Sequence, residues 1–451
     1  MRLYCLLALI LVLASRSTGQ VVNEDYKIYT ADGEWEDFFG WSTCVTNDSI
    51  FAGAVYADES GISSGLVSKF TIQSTIETAR LLPKNSPSGE RFGYSMSHDS
   101  DYIAIGAHSD NGNSSYSGAA FIFDNSGTQL HKLVASDGST NDKFGWSIAI
   151  DSGIVAVGSP WEDESIQDSG AVYLFDANTG LQLQKIKSLT PAPVDRFGKA
   201  VSINANFLAV SARGIDENGF NNGVVYIVDV TTGSQLHTLV CPDSVRDDNF
   251  GVSLAMNSGL LAIGASAHDP TNGFLPNAGA VYIFDPKTAE YLWKIIPADT
   301  DAFQHFGHSV AVENNVVVIG AYGDKIAGTE SGSVYVFDLI KKSQSSKLIP
   351  SDPLIRSQFG YSVSIHNGIV AVGAPRDKSN GNYAGSVYAF NTLPILCTPD
   401  LNEDGDLNFL DVSAYLAAFS SQDPIADFEP DGNFNFLDVS AFLAAFAAGC
   451  P

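Results

Sequence analysis

The chain reads as an all-β, seven-bladed β-propeller followed by a small α-helical domain built on two acidic loops. Three observations predict this. A Phe-Gly pair returns seven times, short strand-like runs separate the pairs, and a twelve-residue acidic segment occurs twice near the C-terminus.

The pairs are Phe39-Gly40, Phe92-Gly93, Phe144-Gly145, Phe197-Gly198, Phe250-Gly251, Phe306-Gly307 and Phe359-Gly360, spaced by 53, 52, 53, 53, 56 and 53 residues. Thirteen residues after each glycine comes Gly53, Gly106, Gly158, Ser211, Gly264, Gly320 or Gly373. Another glycine follows twelve residues later, or fifteen in the fifth copy, where it is Gly279. A fixed period of this length marks stacked copies of one unit. Within a unit the runs are β-branched and aromatic and are bounded by turn residues. Examples are Ser147–Ile150, Gly153–Gly158, Ala171–Phe175 and Leu181–Ile186. Four short antiparallel strands per unit make a propeller blade. The glycines are expected where neighbouring blades bring their backbones together, and each Phe is expected between blades.

Ring closure is also legible. The seventh copy lacks a fourth strand, because the chain leaves at Leu393-Pro394. Tyr26–Asp32 matches His131–Asp137, the fourth strand before the third pair, so the N-terminal stretch is predicted to complete the last blade. The same alignment puts Cys44 and Cys241 where other copies carry Ala, which makes them small buried residues rather than reactive thiols. Asp32, Asp137, Asp243, Asp299 and Asp352 stand seven residues before their Phe and are expected to cap turns.

The residue after Phe-Gly is Trp41, Tyr94, Trp146, Lys199, Val252, His308 or Tyr361. Equivalent positions in a ring lie at one radius. Near the channel mouth, Trp41, Tyr94, Trp146, His308 and Tyr361 would form a cup for a sugar ring or a side chain. Ordinary packing between blades is the competing reading. His305 and His308 are three apart and read as turn or surface histidines rather than a ligand pair. There is no nucleophile elbow in a strand-to-helix setting, so no catalytic residue is assigned. A carboxylate pair on one face of the propeller stays open.

Lys+Arg 24 against Asp+Glu 51 gives a net charge of −27, which disfavours nucleic acid and anionic membranes as partners. Residues 1–19 read as a signal peptide. Arg2 is followed by an apolar run, Leu6–Ala14, and by small residues at Ser17 and Gly19. That run is too short to span a bilayer, and no later segment is long and apolar enough. The expected destination is therefore extracellular or cell-surface associated. The expected domains are residues 20–396 and 397–451.

The C-terminal segments run Asp400–Asp411 and Asp427–Asp438, offset by 27 residues. Oxygen side chains fall at loop positions 1, 3, 5, 9 and 12: Asp400, Asn402, Asp404, Asn408 and Asp411, then Asp427, Glu429, Asp431, Asn435 and Asp438. Gly405 and Gly432 take position 6, and Asp406 and Asn433 offer the position 7 carbonyl. This is the spacing of a calcium loop, and two ions are expected. An amphipathic helix follows each loop, with Val412, Tyr415, Leu416 and Phe419 and then Val439, Phe442, Leu443 and Phe446 on the packing face. Cys397 and Cys450 bracket the module and are expected to form a disulfide in an exported protein.

Residues 25 to 391 resemble the FG-GAP repeat family, found in integrin α-chain propellers and in many bacterial extracellular proteins. The likeness rests on the seven Phe-Gly pairs, on Gly-Ala at 53, 106, 264, 320 and 373, and on Gly-x-Val-Tyr at 170, 223, 279, 332 and 385. Some blades of the integrin type carry an Asp-x-Asp-x-Asp-Gly calcium loop. The equivalent loops at His108–Asn113, Gly214–Gly219 and Arg376–Gly381 lack that pattern, so they are expected to be solvated turns without metal. Residues 397 to 451 resemble a type I dockerin, which implies docking to a cohesin-like or other surface protein. Positions 10 and 11, which read the cohesin in cellulosomal members, are here Phe409-Leu410 and Phe436-Leu437. These pairs point to internal packing or to a more hydrophobic partner.

The combined reading is a secreted binding or adhesion propeller tethered through a calcium-dependent dockerin-like module, with a polysaccharide or protein ligand on the propeller. An extracellular polysaccharide-degrading enzyme carrying a dockerin is the alternative. A structural surface protein is the third reading.

Overall fold

A computed structural model describes residues 20–30, 33–72, 74–84, 88–164, 166–204, 206–214, 222–244, 247–257, 259–270, 275–391, 401, 408–426, 428 and 433–448. The expected leader, Asp32 and both C-terminal cysteines, Cys397 and Cys450, lie outside the described residues.

Seven four-stranded antiparallel units form the propeller. Blade 1 is Phe39–Val45, Ser49–Ala54, Leu66–Thr71 and Glu77–Leu81, paired in that order. In blade 3, Ile148 opposes Val157, Val157 opposes Tyr173 and Tyr173 opposes Lys185. The middle strands are buried on both faces; Ser49–Ala54 is buried at every position. They therefore read as apolar runs, because each face meets another sheet. The outermost strands alternate, as in Gln182–Ile186, where Leu183 is exposed.

A hydrogen bond that recurs at every seam runs from the amide of the Phe in Phe-Gly to a carbonyl of the preceding blade. Phe144 N donates to Ser117 O at 2.8 Å and Phe197 N to Ser169 O at 2.9 Å. The bond from Phe39 N to Ala384 O, at 2.9 Å, closes the circle. At that seam a Cβ on Gly385, whose φ is +87°, would overlap the Phe39 carbonyl oxygen. Only glycine tolerates both the backbone angle and the approach. The seven Phe rings are buried in clusters shared by adjacent blades: Cys44, Phe51 and Val67 of blade 1 meet Phe92, Ile105 and Phe121 of blade 2. Burial pushes the thiols of Cys44 and Cys241 up to about 12, so both are protonated, inert packing groups.

The predicted clasp is present. Tyr26–Ile28 pairs antiparallel with Ser386–Asn391, with Lys27 opposite Tyr388. The structure adds a second contact: Gln20–Val22 pairs in parallel with Ser343–Leu348 as a fifth strand of blade 6. A three-residue strand carries too little periodicity to be read from sequence. The N-terminal segment thus covers the outer edges of two blades.

The C-terminal residues form α1 (Phe409–Ser421), a 3-10 turn (Pro424–Ala426) and α2 (Phe436–Ala448). Tyr415 stacks on Phe442 with centroids 4.0 Å apart and planes at 4°. Val412, Ala418, Phe419, Phe428, Phe434, Val439 and Phe446 surround the pair. Leu416 and Leu443, expected on this face, are instead exposed. Two thirteen-residue helices bury a narrow stripe, and Ala426 of the 3-10 turn joins Tyr415 and Phe442 in it, leaving the leucines on its flank. No helix among the described residues is long and apolar enough to cross a membrane.

Candidate functional site

A tight turn positions the candidate cup, closed by the same hydrogen bond in six blades, while in blade 2 the Tyr94 amide donates to the Gly106 carbonyl at 3.2 Å. In blade 4 the Lys199 amide donates to the Arg196 carbonyl at 3.1 Å, and Gly198 has φ +90°. That bond and that angle are those of a type II turn, which requires glycine at its third position. The residue before each Phe is left-handed: Phe38, Arg91, Lys143, Arg196, Asn249, His305 and Gln358 all have φ between +54° and +60°. Such a conformation is disfavoured for most of these side chains. It brings the residue before Phe and the residue after Gly to the same end of the blade.

The ring positions meet. His308 and Tyr361 have centroids 4.9 Å apart, Tyr361 and Trp41 4.9 Å, Trp41 and Tyr94 5.6 Å, and Tyr94 and Trp146 4.8 Å. The Lys199 ammonium continues the arc, 3.6 Å from the centroid of Trp146. Val252 interrupts it in blade 5. All five candidate cup residues are half-buried. Each spans a seam between blades, so the two sequence readings, cup and inter-blade packing, describe the same side chains. A cavity of about 900 Å³ runs along the propeller axis, with a lining that starts two residues past the ring, at Thr43, Met96, Ile148 and Val201. The aromatic arc therefore floors one end of the channel.

A second layer was missed in the sequence. Tyr56, His108, Trp161, Arg213 and Tyr322 come from the loops after the second strands. Trp161 packs on Trp146 at 4.6 Å, His108 on Tyr94 at 4.2 Å, and Tyr322 on His308 at 4.6 Å. These loop positions vary by one residue between blades, so no fixed spacing marks them. Burial holds the imidazoles of His108 and His308 down at about 3, so both serve as neutral rings. His305 and His308 are turn histidines, the His308 amide donating to the His305 carbonyl at 3.1 Å. Both are half-buried, and His305 stacks on Tyr322 with planes at 3°.

Among the described residues, the Asp seven before Phe are tied into side-chain networks; Asp32 lies outside the described residues. Asp137 accepts the Tyr173 hydroxyl at 2.9 Å and also binds Lys185. Asp243 accepts Tyr282 and Lys294, each at 2.6 Å, and Asp352 accepts Tyr388 and Lys27. The loops read as solvated turns differ too, for Asp110 and Asp377 are buried. Asp110 takes Lys132 at 2.8 Å; Asp377 takes the Tyr388 hydroxyl at 2.6 Å and Lys27 at 3.2 Å. In each case the lysine comes from an outermost strand, twenty or more residues away, which no local reading connects. Cys241, Asp248 and His268 also present ligand atoms within 4.8 Å of one another. The His268 ring, however, faces Lys294 Nζ at 2.7 Å on one edge and Asp248 at 3.1 Å on the other.

Of the expected calcium ligands, Asp400, Asn402, Asp404, Asp406, Asp427, Glu429 and Asp431 lie outside the described residues. The Asn408 side chain caps α1 by accepting from Leu410 N at 2.7 Å, and Asn408 N donates to Asp411 at 2.8 Å. Asn435 and Asp438 repeat the box at α2, with both distances 2.8 Å. Asp411 and Asp438 are fully buried, yet residues 397–451 hold no Lys or Arg. Two buried carboxylates with no basic residue in their segment fit a bound divalent cation. Asn433 stands beside the second box. Phe409 and Phe436, by contrast, are 77% and 78% exposed, and Leu410 and Leu437 are exposed with them. Internal packing of these pairs is thereby ruled out.

No curated protein matches the chain. The family model for the FG-GAP repeat matches six segments, residues 75–123, 128–175, 181–228, 234–284, 292–337 and 343–390, together more than half of the chain. Each match starts near the outermost strand of one blade and ends at the third strand of the next. The blade around Phe39, outside the six, is built the same way and joined by the same hydrogen bond. With repeat, turn and seam in agreement, the chain belongs to the FG-GAP repeat family.

Proposed function

We propose that this is an exported binding or adhesion protein whose aromatic mouth holds a carbohydrate or a protein side chain. The observation that carries the reading is the arc His308–Tyr361–Trp41–Tyr94–Trp146 at one end of the channel. Half-buried indole and phenol rings offer flat apolar faces with polar edges, which suit sugar rings. The C-terminal module binds two calcium ions through Asp400, Asn402, Asp404, Asn408 and Asp411 and their counterparts Asp427, Glu429, Asp431, Asn435 and Asp438. The Asp406 and Asn433 carbonyls complete each set, and a Cys397–Cys450 bond ties the module's ends. Calcium supplies the positive charge that this segment lacks. Loaded in this way, the module docks to a cohesin-like or other surface protein through Phe409, Leu410, Phe436 and Leu437. Their exposure and apolar character favour an apolar partner surface.

A glycan array with a parallel hydrolysis assay on the full chain tests the propeller. Retention without product release is expected; release of shortened product would make the protein an enzyme instead. Calorimetry with and without a chelator tests the tail. A melting transition that ignores the chelator removes calcium from the account.

A further inference from the structure

The cations of this acidic chain are held in two ways, and one of them is unexplained by the fold. Arg91, Lys143, Arg196, Lys199 and Arg213 take no carboxylate partner among the described residues. The first four lie on aromatic faces instead. Arg91 is 5.1 Å from the Tyr56 centroid, Lys143 4.6 Å from Tyr116, and Arg196 5.5 Å from Trp161. Lys199 sits between Trp146 at 3.6 Å and Trp161 at 4.4 Å. Arg213 Nη2 donates to Asn249 Oδ1 at 2.7 Å. The Nε atoms of Arg196 and Arg213 are buried with no hydrogen-bond acceptor. Burial and the repulsion of Arg213 and Arg196 pull the Lys199 pKa down to about 7.

Resting on the reading of the aromatic mouth as a carbohydrate site, we infer that the corner formed by Arg196, Lys199 and Arg213 beside Trp146 and Trp161 binds the carboxylate or sulfate substituent of an acidic polysaccharide. An oxyanion there neutralises the mutual repulsion, and guanidinium groups bind such groups through two parallel bonds. The neighbouring rings take the sugar's apolar face. A neutral glycan would leave the cations and the buried Nε atoms without partners.

The test is titration calorimetry of the full chain with a short oligouronate, a sulfated oligosaccharide, a neutral oligosaccharide and inorganic sulfate. Both charged sugars are expected to bind at least about tenfold more tightly than the neutral one. Lys199→Met and Arg213→Met should each cancel that preference, and Lys199→Arg should keep it. Equal affinity for charged and neutral sugars, unchanged by Lys199→Met, overturns the inference and leaves the carbohydrate reading standing. If no sugar binds while sulfate does, the carbohydrate reading falls and takes the inference with it. An acidic peptide that outcompetes every sugar also overturns the glycan assignment. Asp216 and Glu217 follow Arg213 in a loop outside the described residues. If anions bind only after Asp216→Asn with Glu217→Gln, that loop is the native counter-charge and the inference fails. Melting curves of each variant establish that loss of binding is not loss of fold.

Discussion

The outer rim of the propeller and its channel mouth treat positive charge oppositely. At the rim, Lys27, Lys132, Lys185, Lys294 and Lys347 each reach at least one carboxylate. Four of these networks also take a tyrosine hydroxyl, from Tyr173, Tyr282, Tyr335 or Tyr388. At the mouth, the cations face rings and one another. The rim is a closed ledger of charge that ties outermost strands to loops. The mouth is left open on one side of the electrostatic balance. The two arrangements meet in the chain at blade 3, where Glu162, which binds Lys185, directly follows Trp161, which faces Lys199.

The largest effect is expected at the rim. Asp377→Ala leaves Lys27 and the Tyr388 hydroxyl facing a buried gap, and should cost about 3 kcal/mol in urea denaturation while sugar affinity is unchanged. A cost below about 1 kcal/mol would mean that the rim networks do not hold the clasp.

Lys185→Met comes next, at about 2 kcal/mol, because Asp137 then loses its cation and buried Glu162 keeps only the more distant Lys187, at 3.7 Å. The pH dependence sharpens this prediction. Burial raises the Asp137 pKa, but Lys185 and Tyr173 outweigh it and hold the carboxyl below its ordinary value. Its stabilisation is therefore present above about pH 4 and is lost as pH falls through the lowered pKa. The acid-induced loss should be smaller in Lys185→Met, and an identical acid profile would contradict the pairing.

The same exchange at the mouth should behave differently. Lys199→Met removes a ring contact but relieves repulsion from Arg196 and Arg213, so stability should stay within about 1 kcal/mol of the parent or rise. A loss as large as that of Lys185→Met would erase the contrast between the two regions.

The smallest effect is on affinity. Lys199 loses its proton as pH rises through about 7, so oligouronate binding should weaken above that point. The limit is about tenfold per pH unit for one proton, reached between the free-state pKa and the higher value that the bound anion imposes. Lys199→Arg should flatten the profile, and a flat profile in the parent protein would remove Lys199 as a charged contact. The groups facing Lys199 are Arg196, Arg213, Trp146 and Trp161, and the nearby His108, which feels its charge, is held down at about 3 by burial.

What could be read from residues alone had a fixed interval. The Phe-Gly turn, the seam glycines, the clasp of Tyr26–Ile28 on the last blade and the buried cysteines all follow from repetition. Even the basic positions before Phe, at Arg91, Lys143 and Arg196, were present as a signal in three consecutive copies. The Lys–Asp–Tyr networks were not legible, because their partners are joined across strands at separations such as 325 residues for Lys27 and Asp352. Leu416 and Leu443 were misplaced for a related reason. Helical periodicity gives a face but not its width, which the packing of Tyr415 on Phe442 sets.

Sequence by itself determined that this protein is a closed ring of seven like sheets, since a unit that recurs at one length with one seam can bury its faces only against its own copies. Tertiary structure decided which charges are satisfied. Coulomb interactions depend on distance in space, and closing the ring places side chains together that lie hundreds of residues apart along the chain.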